Sequence, residues 1–336
     1  TLTVSGGIYC NNGATSLMGG VLSSYKSMSV TGGIFVGNKG NITTGSSSQT
    51  TFTFNGTKII GHTSSSVKVA LIAGEETSGT HDYNINNNKF YGNSNRTLIS
   101  VNCTTNKANK YLYCRNNTFV GNTTGGTSNV LLIDDDYARL IFTGNNIYHN
   151  IIPSGGQQLI TANDHNTYTF SDNILVGNRG SGSQFFIILM PASGGVTLSN
   201  NKFYKNTNAS GNASVSFVQI TDRSSNSSTM TNNIFKGNTC DELIEADNLV
   251  INGVEMSYNN IGNSSANMTT AAIQVSGIGA SSTANSKFIG NTTPNIYRAP
   301  NTTSVTIDSF DILYNYNPYS SDSDSDAAIF GCISLA

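Results

Sequence analysis

The stretch Asn87-Asn88-Lys89-Phe90-Tyr91-Gly92-Asn93 carries the organising pattern of this 336-residue chain. It is an Asn-rich or Gly-rich pair followed by a large apolar residue, two spacers and a closing Asn, and it returns twelve times. The apolar position reads Tyr9, Phe35, Ile59, Phe90, Phe119, Ile147, Leu175, Phe203, Phe235, Met256, Phe288 and Ile312. Three residues later stand Asn12, Asn38, Asn93, Asn122, Asn150, Asn178, Asn206, Asn238, Asn259, Asn291 and Asn315, with His62 the single departure. The mean period is about 27.5 residues, inside the window that marks solenoids, and the variation between steps belongs to loops.

Upstream of each phrase the apolar pattern switches to period two, the signature of a strand with one face inward. The two inward columns begin Val4, Val30, Phe54, Ile85 and Leu2, Met28, Phe52, Tyr83, and both continue almost wholly apolar to Ile307 and Val305. Short apolar runs such as Leu98-Ile99, Leu131-Leu132, Leu159-Ile160, Ile187-Ile188, Leu243-Ile244 and Ile329-Phe330 lie between phrases. Three short strands per repeat are expected. One such coil cannot bury its own apolar face, so coils stack, roughly 4.8 Å apart in the hydrogen-bonding direction. The expectation is one all-β domain over residues 1–336, a single-stranded right-handed parallel β-helix of about twelve coils and about 58 Å, continued by neighbouring copies or by a longer chain. Helix is rejected: 34 Gly and an abundance of Asn, Ser and Thr leave few helix formers.

The recurrent Asn has a structural explanation. At a fixed bend it can take left-handed backbone geometry, and its amide can bond to the same amide one coil away, forming a ladder.

Phe35-Val36-Gly37-Asn38, Phe90-Tyr91-Gly92-Asn93, Phe119-Val120-Gly121-Asn122, Phe203-Tyr204-Lys205-Asn206, Phe235-Lys236-Gly237-Asn238 and Phe288-Ile289-Gly290-Asn291 resemble the FxxN repeats of polymorphic outer membrane proteins. Gly6-Gly7-Ile8, Gly19-Gly20-Val21 and Gly32-Gly33-Ile34 resemble the companion GGA(I/L/V) repeat, without its Ala. Similar repeats occur in adhesin-like surface proteins. The resemblance spans nearly the whole chain and implies a surface β-helix used for adhesion or as a stalk. The sequence has no carboxy-terminal membrane-barrel pattern of the autotransporter kind.

Net charge is -2 and only 11% of residues are charged, so no basic patch exists to neutralise a phosphate backbone, which excludes nucleic acid as the expected partner. No membrane-spanning run or leader is evident, and the chain opens on Thr1, as a mature or partial product would. Acceptor triplets for N-linked glycans begin at Asn41, Asn55, Asn95, Asn102, Asn208, Asn212, Asn226, Asn263, Asn267 and Asn301, all glycosylation candidates. Of the five cysteines, Cys103 and Cys114 can meet on adjacent strands as a disulfide, or Cys114 can be a small core residue. No metal-binding spacing is present, and no cofactor is expected.

The two ends look uncapped and in phase: Thr1-Leu2-Thr3-Val4 starts on the strand that precedes the phrase, and Ala328-Ile329-Phe330-Gly331-Cys332 stops just before it. Open ends are templates for further pairing. The expected role is therefore an extracellular structural protein, a filament, stalk or adhesin segment that stacks head to tail on itself and carries glycans, with surface carbohydrate as a further partner. The alternative is a β-helical polysaccharide lyase or glycosidase. Aligning the middle strands gives a column Glu75, Asn102, Asp135, Asn163, Asp222 and Asp247, with Asp134, Asp136, Arg139, Asp164 and His165 nearby, and paired carboxylates are what glycoside hydrolysis requires. Against it, Asp and Asn are favoured turn residues and the chain has no Trp for sugar stacking. No catalytic residue is therefore assigned. Ser320–Asp326 reads as a solvated acidic loop.

Overall fold

A computed structural model describes residues 1–13, 20–24, 27–44, 51–63, 71–73, 81–95, 97–102, 110–124, 132–136, 139–152, 158–163, 167–180, 187–190, 194–208, 216–221, 228–262, 271–275, 280–299, 304–316 and 333–334. Among these, every regular element is a strand and every strand pairing is parallel, so the chain is a β-solenoid. The apolar phrase position is itself the centre of a three-residue strand, such as Lys89–Tyr91. Each coil therefore has four sides rather than the three expected.

The first side carries the upstream strand, from Leu2–Ser5 at one end to Ser304–Leu313 at the other. Eleven parallel pairings join twelve strands there in unbroken order. The second side carries the phrase strand, and its register runs Tyr9, Phe35, Ile59, Phe90, Phe119, Ile147, Leu175, Phe203, Phe235, Met256, Phe288, Ile312 without a slip. The third side has two-residue strands from Ser94–Asn95 to Asn260–Ile261, only seven of them. Beyond these it is reduced to single bridges such as Gly13 with Lys39 and Thr292 with Tyr316. The fourth side runs from Gly20–Ser23 to Ile333–Ser334. Among the described residues complete four-sided turns thus number seven, fewer than the twelve coils expected.

Two left-handed corners bound the phrase strand. The first falls at Gly6, Gly32, Gly56, Asn87, Asn116, Gly144, Asp172, Asn200, Asn232, Gly253, Asn285 and Ser309. The second falls at Asn11, Gly37, Gly61, Gly92, Gly121, His149, Gly177, Lys205, Gly237, Tyr258, Gly290 and Tyr314. Positive φ is strained for residues with a side chain, which explains the dominance of Gly and Asn. The left-handed residue is the one before the ladder Asn, not that Asn itself as the sequence reading supposed. Reversing the chain there turns the following amide inward.

Inside, the inward columns meet as one core in which Val30, Phe54, Phe90, Leu112, Phe142, Leu175, Phe203, Ile244 and Phe288 are fully buried. Identical positions repeat each coil, so rings stack face to face: Phe203 and Phe235 lie 4.4 Å apart at 2°, and Phe90 and Phe119 4.8 Å apart at 9°. Such pairs add about 0.5–1.5 kcal/mol beyond the area they bury.

Candidate functional site

The closing asparagines form the ladder that their spacing announced. From Asn93 to Asn291 each buried rung donates its backbone N–H and Nδ2 to Oδ1 of the next rung, and Nδ2 also donates to the carbonyl of the phrase residue one coil back. For Asn150 these distances are 3.0 and 2.9 Å to Asn178 and 3.0 Å to Phe119 O. The pattern joins Asn93, Asn122, Asn150, Asn178, Asn206, Asn238, Asn259, Asn291 and Asn315, and Asn12 bonds Asn38 the same way. Both amide protons and the carbonyl are used, which is why an amide tolerates a fully buried place.

A second ladder escaped the sequence reading. Starting from Thr57, the residues Asn88, Asn117, Asn145, Asn173, Asn201 and Asn233 repeat the same bonds at the first corner. Its visible signal was the Asn two positions before the apolar residue. It stops at Val254, where the backbone N–H turns to Ser286 Oγ instead.

The ends of the ladder are unlike. Among the described residues no donor reaches Asn12 Oδ1 at the first rung, and no acceptor meets the Asn315 backbone N–H at the last. One end of the rod therefore presents an acceptor where the other presents a donor. The apolar columns are also half covered there: Leu2, Val4 and Tyr9 at one face, Val305, Phe310 and Ile312 at the other.

Among the described residues the acidic column of the enzyme reading fails at Asp135. On the fourth side Asp135 pairs with Val101 and Ala162, whereas Asn102 and Asn163 pair with Asp136. The strand of that coil begins at Ile133, with Leu132 rather than Leu131 in the place of Leu98 and Leu159, so the Leu131-Leu132 alignment is one residue out of register. The apolar run Ile329-Phe330 lies outside the described residues, and Ile333–Ser334 takes the last place on this side. Glu75, Asp164, His165 and Asp222 also lie outside the described residues. A polar file stands two residues earlier than Asn163 and Asp247 in the register of this side: Gln219, Glu245, Gln274 and Arg298 on successive coils.

Beside this file Ser216 Oγ lies 2.9 Å from Glu242 Oε2 and 3.2 Å from Glu245 Oε2, and Gln219 Nε2 donates to Glu245 Oε2 at 3.1 Å. Burial pushes the Glu242 carboxyl up to about 8, opposed by its bond to Ser216 and reinforced by Glu245 and Asp241. Burial likewise raises Glu245. Ser216 has one hydroxyl proton for two carboxylates.

Two glycosylation candidates are corrected. Asn41 and Asn208 are buried, at 1% exposure each, because both fall on inward positions of short strands, and an amide without solvent cannot carry a sugar. The Asn41 amide has no hydrogen-bond partner in this environment. Asn55 is half-buried on the first side and accepts from Asn87 Nδ2 at 2.9 Å, with its surroundings open. Asn95 and Asn102 lie in strands of the third and fourth sides. Asn212, Asn226, Asn263, Asn267 and Asn301 lie outside the described residues. The disulfide is corrected too: Cys114 is a free, fully buried thiol facing the core, with Asn117 Nδ2 3.2 Å from its sulfur, and burial raises its pKa. Cys103, like the acidic loop 320–326, lies outside the described residues.

No group of metal-ligating side chains and no helix long and apolar enough to cross a membrane occurs among the described residues. No protein-family model matches the chain, and no curated protein matches its sequence.

Proposed function

We propose that this chain is an extracellular structural protein, a segment or subunit of a glycosylated surface filament, stalk or adhesin whose solenoid is extended by coil-on-coil stacking. The observation that carries this reading is the unfinished ladder: an Oδ1 acceptor at Asn12, an N–H donor at Asn315, and half-covered apolar columns on both end faces. A further coil placed on either face satisfies those groups and buries those side chains, by the same contacts that join the coils within the rod. The exterior suits this role, since Ser, Thr and Asn dominate the outward positions of the first side and charges are few. Glycans on Asn55 and on exposed triplets would supply solubility that charge does not.

The test is electron microscopy of the native material together with its intact mass before and after deglycosylation. Continuous rods of uniform width with a coil spacing of roughly 4.8 Å support the reading. Dispersed short particles, or no mass change on deglycosylation, sink the filament and glycan parts respectively.

The carbohydrate-enzyme alternative has one observation in its favour, the Glu242 and Glu245 carboxyls within about 6 Å of each other around Ser216. Glu242 is only 1% exposed, which leaves no path for a sugar to reach it. Turnover of a polysaccharide panel that disappears in Glu242→Gln would reverse that judgement.

A further inference from the structure

Among the described residues five asparagines hold the left-handed place of the first corner: Asn87, Asn116, Asn200, Asn232 and Asn285. Four of them commit their side-chain amide to the coil before. Asn87 Nδ2 donates to Asn55 Oδ1 at 2.9 Å, Asn200 Nδ2 to Asp172 Oδ1 at 3.1 Å, Asn232 Nδ2 to Asn200 Oδ1 at 3.4 Å and Asn285 Nδ2 to Asn252 Oδ1 at 3.0 Å. Asn116 differs. Its backbone N–H donates to Thr143 O at 3.0 Å, but its exposed side chain bonds no described residue and leans over Gly144, where a Cβ would collide with its Oδ1. Glycine on the next coil thus keeps open the space in front of this amide.

The same asparagine stands apart in sequence. Asn116-Asn117-Thr118 is an acceptor triplet for N-linked sugar, whereas the third residue is Lys89 after Asn87, Lys202 after Asn200, Ile234 after Asn232 and Lys287 after Asn285. The corner splits the triplet across the wall of the rod. Asn117 turns inward as a rung of the second ladder, its Nδ2 donating to Asn145 Oδ1 at 3.1 Å and to Ile85 O at 2.7 Å. Asn116 is exposed and Thr118 lies half-buried on the outward face of the second side, so amide and hydroxyl both remain within reach of solvent.

Burial weighs against the other triplets whose side chains are described. Asn41, Asn122, Asn208 and Asn291 are buried. Asn55 is half-buried, and Thr57 of its triplet is fully buried and donates to Asn88 Oδ1 at 2.8 Å. Thr97, which closes the triplet at Asn95, is buried too.

We propose that Asn116 is the acceptor of an N-linked glycan, transferred from a lipid-diphosphate oligosaccharide by a glycosyltransferase of the cell that makes the chain. In that step Asn116 Nδ2 forms a bond to the anomeric carbon of the first sugar. The bond from that carbon to the diphosphate breaks, the leaving group keeps the electron pair, and one amide proton passes to a base of the transferase. This rests on the glycoprotein reading above and names where the sugar is attached. The glycan leaves the rod over Gly144, beside Arg115, whose guanidinium lies 4.3 Å from the centre of the Tyr113 ring. No hydrogen bond between described side chains is lost, since Asn116 makes none.

The test is fragmentation mass spectrometry of peptides from the native protein, under conditions that keep sugar attached. Cleavage after Arg115 and Arg139 yields one peptide with two triplets, at Asn116 and Asn122, so the buried rung serves as an internal control. The expected result is glycan mass on Asn116 and a bare Asn122, because a sugar on Asn122 Nδ2 would displace its bonds to Asn150 Oδ1 and Phe90 O. Thr118→Val, made in the same host, should lose this one glycan from the intact mass, and Thr118→Ser should keep it, a difference that folding alone does not produce. A bare Asn116 in material whose other triplets carry sugar overturns the inference and leaves the glycoprotein reading intact, as does sugar on Asn122 in its place. Material without sugar on any triplet removes both.

Discussion

His62 donates its backbone N–H to Oδ1 of Asn93 at 2.9 Å, as an asparagine in its place would, yet its ring leaves the ladder and turns Nε2 to the carbonyl of Gly40. The ring is fully buried, and its Nδ1 has no partner. Burial lowers the pKa of His62, so the imidazole is neutral in the fold. Its substitution breaks the file: Asn38 finds no Oδ1 on the next rung, and the ladder is divided into a short piece, Asn12 with Asn38, and a long one from Asn93 to Asn315.

Restoring the amide should therefore stabilise the protein. His62→Asn supplies an acceptor for Asn38 and removes an unpaired buried nitrogen, together worth about 1–2 kcal/mol. Thermal unfolding should shift upward by a few degrees. An unchanged or lowered midpoint would show that the bond to Gly40 outweighs a continuous ladder.

Removing an amide from mid-ladder should do the opposite, with a strong dependence on position. Asn178→Ala strands the buried backbone N–H of Asn150, takes the Nδ2 donor from the carbonyl of Ile147, and leaves Asn150 Nδ2 and Asn206 Oδ1 with one bond each where they had two, to Phe119 O and from the backbone N–H of residue 178. The expected loss is about 3 kcal/mol or more. Asn12→Ala, at the exposed first rung, removes donors that water can replace and should cost well under about 1 kcal/mol. Chemical denaturation of the two variants side by side checks the contrast, which equal losses would contradict.

Steric pairing at the second corner makes its own prediction. Gly121→Ala and Gly290→Ala impose the same left-handed strain, but only the second meets a ring, with Tyr258 Cδ1 2.8 Å from the new methyl. Gly121→Ala should cost about 1–2 kcal/mol and Gly290→Ala distinctly more. Combining Gly290→Ala with Tyr258→Gly should bring the cost back to the Gly121 level. Failure of that rescue would show that the Tyr258 ring is not what the new methyl meets.

The carboxyl pair at Ser216 should make stability depend on pH. Glu242 in the fold holds its proton to about 8, whereas in the unfolded chain it releases it near its ordinary value of 4.5. Between those values the folded state binds more protons, so stability falls as pH rises from about 5 to about 8, by about 1.4 kcal/mol per unit at most, and levels off above. Arg298 and the carboxyls of Asp241 and Glu245 face the group and set the upper end of the window. Glu242→Gln keeps the shape without the titration. Its unfolding midpoint should vary much less across that interval, and a slope equal to that of the unaltered chain would refute the assignment.

Much of this architecture was legible in the order of residues because a solenoid converts sequence period directly into spatial register. Val30 meets Val4 and Phe54, and Phe35 meets Tyr9 and Ile59, as their places in the repeat require. The fourth side was read less well. Loops of unequal length precede it, so Ile133 had to be distinguished from Leu132, and both are buried and apolar. The register of Asp135 turned on that one-residue choice.

By itself, then, the sequence determined that the chain coils, which residues face the core on the first two sides, and that the closing asparagines align; a fixed spacing suffices for these, since each coil repeats the last. Only the tertiary structure decided the rest: that the left-handed residue precedes the ladder amide, that His62 interrupts the file, that Cys114 is a buried thiol, and that the Tyr258 ring leaves no room for a Cβ at Gly290. Those facts depend on distances between coils of a few ångströms and on which atoms water can reach, and residue order carries neither.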